Sequence, residues 1–139
     1  MANLRATLSL NSADVLTSAV ALNVVSNLDC DSGSLIRAKV KGITTGNTAL
    51  QIYVANQCNN RAYLYLRNLD TELEHYIYVY NDTDSNGLVS KIGGGEFAFV
   101  PVAVDKKYAV YATRVDTMVE YGVFGNDNST NPFTGSGDA

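Results

Sequence analysis

The sequence predicts an all-β domain, a single antiparallel β-sandwich or jelly-roll-like barrel, and three observations carry that prediction. Short runs of alternating apolar and polar residues recur along most of the chain. Clusters of Asn, Asp, Ser, Thr and Gly separate them at 29–34, 44–47, 81–87 and 93–95, the composition of turns rather than helix caps. There are only two prolines, so most of these runs can join a hydrogen-bonded ladder, and eight or nine short strands are expected.

The first strand is read from Leu4, Ala6, Leu8 and Leu10, which alternate with Arg5, Thr7, Ser9 and Asn11 as in a half-buried strand. Residues 14–28 fit two patterns. Val15, Leu16, Ala19, Leu22 and Val25 have helical spacing, but Val20, Val24 and Val25 with flanking Thr and Asn favour strand. From 35 to 43, Ile36, Ala38 and Val40 share one face and Arg37, Lys39 and Lys41 the other. Residues 50–55 place Ile52 and Val54 opposite Gln51, Tyr53 and Ala55. Two further strands repeat a tyrosine alternation: Tyr63 and Tyr65 against Leu64 and Leu66, then Tyr76, Tyr78 and Tyr80 against Ile77 and Val79.

Asn86-Gly87 is a hairpin signal. Gly93-Gly94-Gly95 predicts a bulge or hinge before the strand at 97–104. That strand is apolar on both faces, Phe97, Phe99, Pro101 and Ala103 against Ala98, Val100, Val102 and Val104. It is therefore expected to be buried on both sides, within the domain or between subunits, with Pro101 marking an edge or bulge. Residues 107–113 form an alternating strand, 115–117 a turn, and 119–124 a last strand. The domain is read as residues 1–125, and 126–139, rich in Asn, Gly and Ser around Pro132-Phe133, as a C-terminal arm.

The 139 residues suffice for a hydrophobic core without metal or disulfide staples. Charged residues make up 17%, below the roughly 25% usual in soluble domains. Asn, Thr, Ser and Gly take their place, a weakly hydrated surface suited to contact with other protein. The net charge of −4 disfavours nucleic acid as a partner. No apolar run reaches the ~20 residues of a membrane span. Residues 1–5 lack the pattern of a secretory leader, so Cys30 and Cys58 are expected as free thiols.

Candidate chemistry is sparse. His75 is the one histidine, with no Ser or Cys motif to pair with it. One histidine and two distant cysteines make a poor zinc set. The turn at 82–87 matches the first half of a calcium loop, but Gly93 stands where the closing acid belongs, so a plain turn is expected. No catalytic residue, metal or cofactor is predicted. The tyrosines offer more, because tyrosine covers much area at interfaces while its hydroxyl stays hydrogen-bonded. Cross-strand pairing within the fold accounts for them equally well. Tyr63, Tyr65, Tyr76, Tyr78 and Tyr80 are candidate contact residues. With them stand the basic stripe Arg37, Lys39, Lys41 facing an acidic partner, the strand residues Phe97 and Phe99, and Phe133 in the tail.

The segments Tyr63-Leu64-Tyr65-Leu66-Arg67-Asn68, Gly95-Glu96-Phe97-Ala98-Phe99-Val100-Pro101 and Val119-Glu120-Tyr121-Gly122-Val123-Phe124 resemble small virion structural proteins of tailed bacteriophages, those of marine and cyanobacterial phages above all. The resemblance covers about 62–124. It implies a β-sandwich subunit without enzymatic residues, located in the virion and assembled in the host cytoplasm. Its expected role is a capsid decoration (cement) protein that bridges capsomers, with the major capsid protein or other virion proteins as partners and a homotrimer as its form. The N-terminal strand and the tail would serve as arms. A tail, fibre or head–tail junction component is the alternative in the same class. A carbohydrate-binding module, with tyrosines stacking on sugar, is the alternative from another, although the absence of tryptophan counts against it.

Overall fold

A computed structural model describes residues 3–14, 20–30, 32–46, 48–83 and 87–127. These residues form ten strands and no helix: β1 (Asn3–Ser12), β2 (Val20–Asp29), β3 (Ser32–Val40), β4 (Leu50–Tyr53), β5 (Cys58–Asn68), β6 (Ile77–Asn81), β7 (Leu88–Ile92), β8 (Phe97–Val102), β9 (Tyr108–Ala112) and β10 (Thr117–Asp127). The ambiguous segment resolves as strand from Val20 onward, and 15–19 lie outside the described residues. The same holds for 128–139, including Phe133, and for 84–86 of the calcium-like turn.

Strands β3 to β10 make two four-stranded sheets, ordered β3-β10-β5-β8 and β4-β9-β6-β7, with every pairing antiparallel. The pairings nest: β6 with β7, β5 with β8, β4 with β9, β3 with β10. This is one long ribbon of four strand pairs rolled up so that β10 also meets β5 and β9 also meets β6. An eight-stranded roll with this sheet order is a jelly roll. The ribbon's tip lies between β6 and β7, where Asn81 N–H donates to the Gly87 carbonyl at 2.8 Å.

The alternation read from sequence supplies the core. Val40 of β3, Leu64 and Leu66 of β5, Ile77 and Val79 of β6, Val110 of β9, and Val119 and Val123 of β10 are fully buried between the sheets. In β4 the expected faces fail: Ile52 and Tyr53 are both buried, because a register shift between Gln51 and Tyr53 rotates Tyr53 inward. There its hydroxyl donates to the Val104 carbonyl at 2.9 Å and accepts from Cys58 N–H at 3.2 Å. Burial holds the Tyr53 phenol well above its ordinary pKa. Cys30 and Cys58 are buried and not joined in a disulfide.

The three glycines before β8 let two loops meet. A side chain on Gly94 would run into the Glu72 carbonyl oxygen, and one on Gly93 would fall 2.5 Å from that of Leu73, while Gly95 takes φ +82°. Asn68 ties the same corner together. It is fully buried, its Nδ2 donates to the His75 and Ile92 carbonyls, and its Oδ1 accepts from Asp70 N–H. His75 lies beside it: Arg114 donates to its Nε2 at 2.9 Å, so its Nδ1–H is the group that meets Asp70 Oδ2 at 3.1 Å.

The β1–β2 pair stands apart from the expected 1–125 sandwich. It is a separate two-stranded sheet, paired in register from Asn3↔Asp29 to Ser12↔Val20, and neither sheet of the roll packs along it. Its base is held where Cys30 enters the core region and where Asn126 Nδ2 donates to the Asp29 carbonyl at 3.2 Å.

Candidate protein-interaction surface

The outer face of the β3-β10-β5-β8 sheet collects candidates from four strands. Because opposed residues of antiparallel strands share a face, the registers fix its rows. Gly33, Phe124, Tyr63 and Pro101 form one row; Leu35, Gly122, Tyr65 and Phe99 the next; Arg37, Glu120, Arg67 and Phe97 the third; Lys39 and Met118 lie beyond. Leu35 is 62% exposed and Phe97 64%, with Phe99 and Met118 also open to solvent. The patch is largely aliphatic and aromatic, is crossed by the Arg37-Glu120-Arg67 row, and has nothing over it among the described residues.

This corrects the expectation that β8 is buried on both sides within the domain. Among the described residues the strand is an edge, paired only with β5, and of its residues only Ala98, Val100 and Val102 pack against the core. Phe97, Phe99 and Pro101 point outward and are exposed. Both faces are apolar because one faces the core and the other forms this patch. Pro101 does sit on an edge strand, where a missing N–H costs no ladder bond on the open side.

Beneath the exposed groups the face is packed. Tyr63 stacks on Phe99 with ring centroids 5.8 Å apart and planes 7° apart, which leaves Tyr63 buried. The Phe124 ring covers Gly33 and Gly122; a β-carbon on these would lie 2.5 Å and 2.8 Å from that ring. Glu120 accepts from the Tyr65 hydroxyl at 3.0 Å and from Arg37 Nε at 3.2 Å. These donors, Tyr65 first, hold the Glu120 carboxyl below its ordinary pKa. Burial, then the same carboxylate, raises the Tyr65 phenol. Arg37 is thus partly answered within the chain, Lys39 shares its face, and Lys41 lies past the end of β3, exposed.

The second tyrosine set lies on the opposite sheet. Tyr78 stacks on Tyr111 of β9 at 4.8 Å, and Tyr80 meets Tyr111 edge-on at 5.7 Å. Lys91 Nζ sits 4.1 Å above the Tyr76 ring. Tyr80 is buried and its hydroxyl accepts from Gly46 N–H. The five tyrosines therefore do not form one display: Tyr63 and Tyr80 are packed inside their faces, and Tyr65, Tyr76 and Tyr78 are half-buried. Sequence reasoning does not single out Leu35, Met118 and Phe124. A signal for them is present, since Gly122 and Phe124 alternate with Val119, Tyr121 and Val123 as an outward row.

Where the edges of β7 and β8 approach, a shallow cleft of about 430 Å³ is lined by Ser90, Lys91, Ile92, Gly95, Glu96 and Phe97. Glu96 is engaged there, its Oε1 accepting from Gly93 N–H at 2.7 Å. Among the described residues no three His, Cys, Asp or Glu side chains gather as a metal site would require.

No family model matches the sequence, and none of the curated proteins matches it. Among solved structures, a chain from Bacillus endospore appendages, described as a novel family of disulfide-linked pili, aligns with 73% of this chain and 100% of its own. The identity is 16% and the TM-score 0.41.

Proposed function

We propose that this protein is a non-enzymatic structural subunit of a bacteriophage virion, a capsid decoration (cement) protein that bridges neighbouring capsomers. The observation that carries a binding role is the uncovered face bearing Leu35, Phe97, Phe99 and Met118, framed by Arg37, Lys39 and Arg67. An exposed apolar patch with a polar rim is the usual form of a protein-binding surface. A jelly roll serves many functions, so the fold alone does not choose among them; the phage setting comes from the sequence resemblance. Each copy would add a modest binding free energy, and multivalent attachment would turn many such contacts into resistance to internal pressure.

Shells depleted of the protein, then reconstituted with wild type or with Phe97→Asp/Phe99→Asp, test this reading. Wild type should restore resistance to heat and osmotic shock, and the variant should fail to attach while keeping its β-type circular dichroism. Depleted shells as robust as intact ones would overturn it. A glycan-binding reading draws on the cleft, where exposed Phe97 lies beside Ser90, Lys91 and Glu96. Glycan-array binding lost on Phe97→Ala would favour it.

A further inference from the structure

The β1–β2 hairpin is amphipathic. Its register puts Leu4, Ala6, Leu8 and Leu10 with Leu22, Val24 and Leu28 on one side, interrupted only by the small polar Ser12 and Ser26. Arg5, Thr7, Ser9, Asn11, Asn23 and Asn27 lie on the other, with Ala21 and Val25. Yet the apolar side is bare: Leu8, Leu10, Leu22 and Val24 are each 43–48% exposed. A two-stranded ribbon is marginal in water and needs a further layer against its apolar side. Among the described residues nothing provides one.

We propose that the uncovered outer face of the β3-β10-β5-β8 sheet receives the β1–β2 hairpin of a second copy of this chain. The inference rests on reading that face as a protein interface and names its occupant. Three observations point to a second copy. Donor and acceptor surfaces of like chemistry occur on one chain, and neither is covered by the described residues. The described residues of 3–29 carry just three charges, Arg5, Asp14 and Asp29, and none lies among the apolar rows, so the ribbon brings no charge of its own to a face where Glu120 already accepts from Arg37 and Tyr65.

The third observation is size. Strands of ten residues extend about 33 Å, and two lie about 10 Å across, so the ribbon's apolar side has a flat footprint of about 330 Å². A copy that gives one hairpin and receives another in a closed ring covers about 660 Å², close to the ~800 Å² per partner of stable complexes. Stacking two hairpins on each other covers half as much. The area favours exchange, in a two-fold pair or a three-fold ring.

Light scattering of the full chain tests the exchange. Wild type should run as a dimer or trimer of the 14.9 kDa chain. Leu8→Asp/Leu22→Asp, which spoils the arm, and Leu35→Asp/Phe99→Asp, which spoils the face, should each fall to one chain's mass. Mixed one to one at high concentration, the two variants keep one intact arm–face contact and should associate weakly as a heterodimer, which neither forms alone. Circular dichroism of each variant checks that the roll is folded; the arm variant changes no core residue, so it keeps the test decisive if the face variant misfolds. A monomeric wild type, an arm variant that keeps the wild-type mass, or a folded face variant that does so would each overturn the exchange. A monomeric wild type that still fortifies shells would leave the decoration reading standing, whereas an exchanging chain that ignores shells would remove that reading alone.

Discussion

Asn68 shows how much of this fold hangs on single polar groups in dry places. Its amide holds the β6 entry through His75 and the end of β7 through Ile92, while its own backbone N–H donates to Glu96 at the start of β8. Asn68→Ala leaves the Ile92 and His75 carbonyls without that donor, and we expect a loss of about 2–4 kcal/mol in urea unfolding. Gly122 makes a different demand, for space. A β-carbon there would stand 2.8 Å from the Ser34 carbonyl oxygen and 2.8 Å from the Phe124 ring. Gly122→Ala should therefore cost about 1–3 kcal/mol in the same measurement and displace that ring. Neither role is legible in the sequence. Periodicity places Gly122 on a strand but ends the Tyr63–Leu66 alternation before Asn68, which the structure includes in β5, and a lateral neighbour such as Phe124 over Gly33 appears only when β3 and β10 are known to pair.

At the scale of elements, β3 and β6 are legible because their alternation is strict and uninterrupted. β4 is not, since one irregular step between Gln51 and Tyr53 inverts the face of the residues after it. β8 misleads for another reason: an apolar side chain is written the same way whether it meets the core, a partner or solvent. The tyrosine strands divide likewise. Their alternation is plain in the sequence, but which rings lie open depends on cross-strand partners, Phe99 for Tyr63 and Tyr111 for Tyr80. Tyr111 anchors the β4-β9-β6-β7 outer face through both of its ring contacts. Tyr111→Ala should lower stability by about 2–4 kcal/mol in thermal or urea unfolding, from lost aromatic pairing and the space left behind. Tyr76→Ala, whose ring rests on Lys91 and Tyr78 at the margin, should cost distinctly less.

For the whole molecule, nine tyrosines and no tryptophan make alkali the revealing solvent. Burial raises the phenols of Tyr53, Tyr80 and Tyr108, and that of Tyr65 rises from burial and Glu120. A phenol whose folded pKa is raised binds its proton more tightly in the native state. Its contribution is complete below the unfolded value near 10 and is lost as pH rises from there through the folded value. Unfolding free energy should thus be steady across neutral pH and fall above about pH 10. Tyrosinate absorbance should lag that of model tyrosine until the fold gives way. The acid limb has the opposite sign. The carboxyls of Asp70, mainly through Glu72 N–H, and Glu120, mainly through Tyr65, are held low, so their contribution is present above the ordinary carboxylate range and fades as pH falls below it. It is small, because both groups meet solvent.

The place of β10 carries one more consequence, for the order of events on the ribosome. This last strand is the inner neighbour of both β3 and β5, so the sheet that begins at Ser32 has no centre until the segment around Thr117–Asp127 has been made. The β1–β2 ribbon can close from contacts near in sequence as soon as it emerges. The roll cannot, and for most of synthesis the nascent chain carries unpaired, aromatic-rich strands. A chain built this way depends on the eleven-residue β10 for its β3-β10-β5-β8 sheet, and until that strand is made it is a client for whatever holds sticky β-segments apart.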